Sequence, residues 1–317
     1  SDVAGMTKDI NVFLPPPDQS YEIGAAEAVQ VLDAASLPDF LDARPADYSF
    51  NNDLIGATAL HDQGILGTGV VVAVIDSGTA NSPVVPSLAG SVIGGENFVV
   101  GDPVPSATSR LNGAHGTQVG TAIAGHAIFL FSNTSALVQS LLTHAPSAVI
   151  PCSELGCPSN LSGVPMIGSA PGASLYALKV FPFNSNSTTT SRILAAMDRA
   201  ITLRRNFNNG VPSVVTNPGC GDENNPCVYD SLPIQIVNMS LGGGTLFAGR
   251  DLEDQLTLEM NEVGITVVVA AGNDGPAAMT VGSPATAVGS PLATYASRSA
   301  GEGLPKVTTV AVASAAR

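Results

Sequence analysis

At 317 residues, with 44% hydrophobic and 12% charged side chains, the chain can bury a sizeable core and is neither a disordered segment nor a charge-laced coiled coil. A formal net charge of −14, with only 12 Lys and Arg in all, disfavours nucleic acid as a partner, because phosphates need clustered basic residues. The longest apolar stretches, such as Ile265–Ala271, are too short to span a bilayer, and no charged segment followed by an apolar run marks a leader at the start, as would also hold for a processed chain.

In chain order, residues 1–50 read as an N-terminal extension or the remnant of a prosegment, with a triple-proline break at Pro15–Pro17 and an Ala-rich stretch, Tyr21–Ala35, of helical character. From about Asn51 the pattern becomes α/β. Apolar runs rich in Val and Ile predict buried parallel strands at Gly69–Ile75, Ser174–Phe181, Pro233–Met239, Gly264–Ala271 and Val307–Val312. Helices are expected between them: the small-residue stretch His115–Gly125, Ser191–Ile201 with Ser191 as N-cap, and Asp251–Val263 stopped by Gly264. Strands alternating with helices predict a doubly wound α/β fold, with a mostly parallel central sheet, helices on both faces and function at the carboxyl ends of the strands.

Cys152 and Cys157 lie close together, as do Cys220 and Cys227, and neither spacing suits a zinc motif. Local disulfides in surface loops, and with them an oxidising compartment, are expected; free thiols and cross-pairing stay open on spacing alone. The sequons at Asn133, Asn160 and Asn186 would matter only in a eukaryotic source.

Three segments carry chemistry. Asp76 follows a buried strand and precedes Ser77-Gly78, which places its carboxylate at the strand's carboxyl edge. Alone it would be a turn residue. VIDSGTA also fits the local signature of an aspartic protease, whose two carboxylates share a proton, but a second such motif is lacking, so that chemistry would need a homodimer. His115 stands at the start of a helix of small residues in NGAHGTQVGTAIAG, and a run HGTxxG beside VIDSG is far more specific than a lone histidine. Asn273, in VVVAAGNDGP, leaves a strand into a turn, where a side-chain amide could donate to an oxyanion; alone, Asn-Asp-Gly would be turn chemistry.

Together with APGASLYALKVF (Ala170–Phe181) and IVNMSLGGG (Ile236–Gly244), these segments resemble, in order, the motifs of the subtilisin-like serine proteases (subtilases, peptidase family S8), from about Asn51 onward. The resemblance implies the family's three-layer α/β fold and a secreted serine endopeptidase. Asp76 would orient His115, His115 would be general base and then acid, and Asn273 would bind the oxyanion. Ser240, Leu241, Gly242 and Gly243 would line one side of a cleft for an extended peptide or protein substrate, with Ala271 and Gly272 on the other.

The sequence departs from the family in three places. No Gly-Thr-Ser-Met-Ala-type motif follows Asn273, so residues 51–317 are read as the N-terminal portion of a catalytic domain, inactive alone, whose serine lies on a missing C-terminal segment or a second chain. Segments near 128–167 and 204–232 are expected insertions, each stapled by one cysteine pair. The first displaces the loop that binds calcium in some relatives, so no metal site is assigned and no cofactor is expected, calcium being implied by the family alone. The alternative function is a non-catalytic peptide-binding protein of the same fold. Export from the cell is the expected localisation.

Overall fold

The structure, a computed structural model, describes residues 11–13, 26–32, 37–42, 50–81, 85–245, 247–272, 281–287 and 307–310. Before the first long strand come β1 (Asn11–Phe13), β2 (Ala28–Val31) and the short helices α1 (Leu37–Asp42), α2 (Phe50–Leu54) and α3 (Thr58–His61). The next stretch contains β3 (Val71–Asp76), β4 (Val92–Asn97), α4 (Ala114–Ala124), β5 (His126–Ser132), α5 (Ala136–His144), β6 (Ile150–Pro151), α6 (Cys152–Leu155) and β7 (Leu161–Ile167). It is followed by β8 (Ser174–Lys179), β9 (Ser187–Thr189), α7 (Thr190–Asn208), β10 (Ile234–Met239), α8 (Leu252–Glu262), β11 (Thr266–Ala270) and β12 (Val307–Val310).

Six strands form the central sheet in the order β12-β11-β10-β3-β8-β4, every neighbouring pair parallel. The period of two along a strand explains the layers. Val71, Ala73 and Ile75 of β3 join the main core with Ile193, Ala196, Met197, Ala200 and Ile201 of α7 and Met260 of α8. Val72 and Val74 face the opposite way, into a cluster with Ala124 and the partly buried Val119 and Ile123 of α4. A strand buried on both faces has to be apolar throughout, as VVAVI is. Each fully buried Val or Ile contributes about 1.5–3 kcal/mol by leaving water.

Three expectations need correction. The Ala-rich stretch Tyr21–Ala35 is a strand where it is described: Ala28–Val31 pairs antiparallel with β5, from Ala28 opposite Leu130 to Val31 opposite Ala127. A local helical pattern gives way there to a ladder of backbone partners that only the folded chain supplies. Helix α7 begins at Thr190 behind Thr189, so Ser191 lies inside it rather than capping it, and it runs on to Asn208. Leu203 continues its buried stripe, and an Arg205–Glu259 ion pair of 2.7 Å ties its end to α8. Finally, residues 128–167 do not form a plain loop. With β2 they build a four-stranded sheet, β2-β5-β7-β6, around a core of its own that includes Ile128, Leu130, Ile150, Leu161 and Cys152.

The four cysteines form two local disulfides, Cys152–Cys157 and Cys220–Cys227, with Cα atoms 4.8 and 4.9 Å apart. The second closes the long loop after α7, which docks on the free edge of β4: Gly95 N–H donates to Cys227 O at 3.1 Å. Nearby, the Tyr229 ring meets Tyr176 edge-on at 6.0 Å, and Arg199 spans Glu96 and the Tyr229 carbonyl. Tyr176, buried and hydrogen-bonded to Glu96 at 2.8 Å, has its phenol pushed well above the ordinary range, first by burial and then by the Glu96 charge. Among the described residues no helix is long and apolar enough to cross a membrane.

Candidate active site

Strands β11, β10 and β3 are neighbours, so their carboxyl ends open on one edge of the sheet. This is where an open α/β sheet gathers its ligands, at the mouth left by diverging connections.

Asp76 is the last residue of β3 and fully buried. Both its carboxylate oxygens lie 2.9 Å from His115 Nδ1, and Oδ1 also accepts the Ser77 N–H at 2.6 Å. An ionised carboxylate only accepts, so the proton of a neutral imidazole sits on Nδ1 and its lone pair on Nε2. The His115 side chain keeps 24% of its surface exposed while Asp76 keeps none. The pair is therefore a buried acceptor beneath a half-open base. Both Asp76 oxygens are turned to His115 Nδ1 and one also accepts the Ser77 N–H, an arrangement that suits a carboxylate orienting an imidazole rather than one sharing a proton with a second carboxyl group.

The sequence places His115 there through the first turn of α4. Gly113 occupies the N-cap position and has no side chain to offer. Ser77, one residue beyond Asp76, replaces the missing cap from outside: its Oγ accepts the Gly116 N–H at 3.0 Å and donates to the Gly113 carbonyl at 3.1 Å. Thr79 Oγ1 donates to Gly116 O at 3.3 Å, and Ala80 N–H to Thr117 Oγ1 at 3.0 Å, so the turn after β3 is stitched to the turn that carries His115. Gly116 allows this contact. A Cβ there would stand 2.3 Å from the Gly78 carbonyl and 3.0 Å from Asp76 Oδ1. Gly116→Ala should accordingly cost about 1–3 kcal/mol of stability and displace His115 from Asp76. A melting curve and the Nδ1–H proton resonance of His115 in the purified variant check this, and an unchanged midpoint with an unchanged resonance would contradict it.

At the end of β10, Ser240 Oγ accepts from Asn238 Nδ2 at 3.1 Å. Leu241 is 2% exposed and belongs to the main core, so its side chain does not line an open cleft and only its backbone is available. Gly243 exchanges two backbone hydrogen bonds of 3.1 Å with Ser283. Alternate residues of an extended segment turn their polar groups to opposite sides. With Gly243 committed to Ser283, Ser240 and Gly242 have theirs on the other side. Behind this edge Asp254, fully buried, accepts from the Ser283 and Thr286 hydroxyls at 3.1 Å and from Gly249 N–H at 2.8 Å. Burial raises its pKa even against the Thr286 and Ser283 hydroxyls and the Gly249 N–H that favour the charge.

Ala271 and Gly272 follow directly on β11, Gly272 at φ +97°. Asn273 lies outside the described residues, as do Ser290, Ser297, Ser299 and Ser314. Among the described residues, no serine hydroxyl is hydrogen-bonded to His115, and no group of three or more His, Cys, Asp or Glu could hold a metal ion.

Sequence reasoning overlooked Ser77, Asn112 and Lys179. Ser77 was legible as a hydroxyl next to the carboxylate, but its task as a cap for a helix turn 36 to 39 residues away depends on the fold. Lys179 was read as one more residue of a buried strand. A lysine within LYALKVF, flanked on both sides by core residues, was the available signal.

Comparison with known proteins supplies the wider setting. The model of the subtilase family (peptidase S8) matches residues 67–316. The chain is 31% identical over 233 residues to subtilisin E of Bacillus subtilis (strain 168), an alignment covering 73% of this chain and 42% of that protein. It is 30% identical over 233 residues to subtilisin of Bacillus pumilus, covering 73% and 58%. With the thermostable alkaline protease of Halalkalibacterium halodurans it shares 27% over 221 residues, 70% of this chain and 40% of the relative. The chain thus spans about half the length of these relatives.

Proposed function

Because the chain belongs to the subtilase family, we propose that it is the Asp- and His-bearing part of a serine endopeptidase that cleaves extended peptides through an acyl-enzyme. One observation carries the reading: His115 Nδ1 is held by the buried Asp76 carboxylate while the other side of the ring stays accessible. In the first step Nε2 takes the proton of a serine hydroxyl as its oxygen attacks the scissile carbonyl. The proton then passes to the departing amine, leaving an ester, and water repeats the sequence to release the acid. Asp76 stabilises the imidazolium throughout. Asn273, next in sequence to Gly272, would donate its amide to the oxyanion, a contribution of about 3 kcal/mol in the transition state. The reaction needs no cofactor, and a structural calcium ion remains a family expectation without assigned ligands.

The serine belongs, in this reading, to a C-terminal segment or a second chain. Of the described serines at this edge of the sheet, Ser77 is committed between Gly113 and Gly116, Ser283 between Asp254 and Gly243, and Ser240 accepts from Asn238 Nδ2. The backbone of the Ser240–Gly243 segment and that of Ala271–Gly272 would take a peptide strand between them. The N-terminal extension gives a precedent in this molecule: Asn11–Phe13 adds antiparallel to β9, with Val12 2% exposed. The two disulfides favour an oxidising, exported setting.

The test is to treat an active preparation of the full gene product with a fluorophosphonate probe and take intact masses. The adduct should fall on a serine outside residues 1–317. An adduct on one of these 317 residues, or peptide hydrolysis without any adduct, would overturn the assignment.

A further inference from the structure

Residues 102–113 carry the chain from the end of β4 towards His115 without a helix or strand of their own. What fixes their course is a lysine beneath them. Lys179, the last residue of β8, stands opposite Asp76 in the β3–β8 register, and its side chain has no exposure to solvent. Its backbone is locked at that level: Val180 N–H donates to Asp76 O at 2.9 Å, and Phe98 N–H to Lys179 O at 2.8 Å.

The ammonium donates to the Val104 carbonyl at 2.8 Å and to Asn112 Oδ1 at 2.5 Å, and it forms an ion pair with Asp102, whose Oδ2 lies 3.0 Å away. Asp102 and Val104 begin the loop and Asn112 ends it. Asp102 is secured in turn by the Val104 N–H at 2.9 Å and the Phe183 N–H at 3.3 Å. Asn112 donates through Nδ2 to Ser106 O at 3.0 Å and packs on Gly78, where a Cβ would come within 2.5 Å of that nitrogen. Gly113, next along, is the residue held by Ser77. One buried charge therefore joins both ends of the loop to the strand level of Asp76, three residues before His115.

A buried lysine is a poor way to gain stability. Taking both ions out of water costs several kcal/mol per charge, and an apolar residue of similar volume would pack at least as well. The charge is justified by what it holds in place. We propose that Lys179, acting through Asn112, is a positioning residue for His115 that sets the imidazole against Asp76 and towards the substrate. The inference rests on the reading of His115 as general base. Burial lowers the Lys179 pKa, while the Asp102 carboxylate beside it works to keep it protonated.

The experiment compares the active protease with two variants. Lys179→Met combined with Asp102→Asn removes the ammonium without stranding a buried carboxylate. Asn112→Ala leaves the Lys179–Asp102 pair intact, and decides the matter if the double variant does not fold. Both should lose about ten- to a hundredfold in kcat with KM within about threefold, well below their melting temperatures. The downfield Nδ1–H proton resonance of His115 should broaden or vanish in parallel. Folded variants with a lowered melting temperature but unchanged kcat and unchanged resonance would make Lys179 purely structural and overturn the proposal. If the parent protein neither cleaves peptides nor takes up a fluorophosphonate, the protease reading fails by itself, and the resonance still decides whether Lys179 positions His115.

Discussion

His115→Ala in the active protease should lower kcat for peptide hydrolysis by about six orders of magnitude, a size set by the corresponding histidine of subtilisin, a member of the same family, rather than derived from this geometry. At about 1.36 kcal/mol per decade this is roughly 8 kcal/mol of lost transition-state stabilisation. The geometry says why so much depends on one ring. Asp76 is fully buried and reaches the reaction only through His115, since both its oxygens are turned to Nδ1. Without the imidazole nothing removes the proton from the attacking hydroxyl, and the carboxylate is left unpaired below an empty space. KM should change by less than about threefold, because the proposed peptide-binding edge at Ser240–Gly243 is built from other residues. The side chain is a quarter exposed and its helix is held by Ser77, Thr79 and Thr117, so the fold should survive. Single-turnover kinetics and fluorophosphonate labelling measure the effect; labelling at the parent rate would remove His115 from the mechanism.

The parts of the site legible in the sequence are those built from a few consecutive residues. Val71–Ile75 is apolar without interruption, as a strand covered on both faces must be, and Asp76 then marks where the strand emerges. Gly116 and Gly120 are small because α4 lies against the turn after β3; a Cβ on Gly120 would stand 2.8 Å from Thr79 Cγ2. What was illegible depends on distant partners. Ala28–Val31 (AVQV) sits in an Ala-rich stretch that reads as helical, but its two valines favour a strand and β5 offers the edge it pairs with. The segment near 128–167 carries a strand signal only in Ala127–Phe131 (AIFLF), and its partners are not local: β5 and β7 pair over seven residues and enclose a core with β2 and β6. Leu241 could offer a substrate only its backbone, because alternation in the strand end turns its side chain into the main core. Lys179 shows the same limit. Its three partners lie between 67 and 77 residues away in sequence, so no local pattern could show that they converge.

Asp76→Asn should cost about four orders of magnitude in kcat, again the size established for such a substitution in serine proteases, but its cause can be argued from this structure. The Ser77 N–H donates to Oδ1 at 2.6 Å, and a donor can be met only by oxygen. In the asparagine the carbonyl oxygen must therefore stay with Ser77, which turns the amide NH2 towards His115 Nδ1. Two donors cannot share that contact, so the ring gives up its Nδ1 proton and carries it on Nε2 instead. The lone pair needed to receive the serine proton then points at the protein interior. The variant should fold, since shape and burial are conserved, and KM should stay within about threefold. Nitrogen-resolved NMR of the imidazole would show the proton moving from Nδ1 to Nε2. A variant with kcat within tenfold of the parent, or with the tautomer unchanged, would mean that Asp76 does not orient His115 in this way.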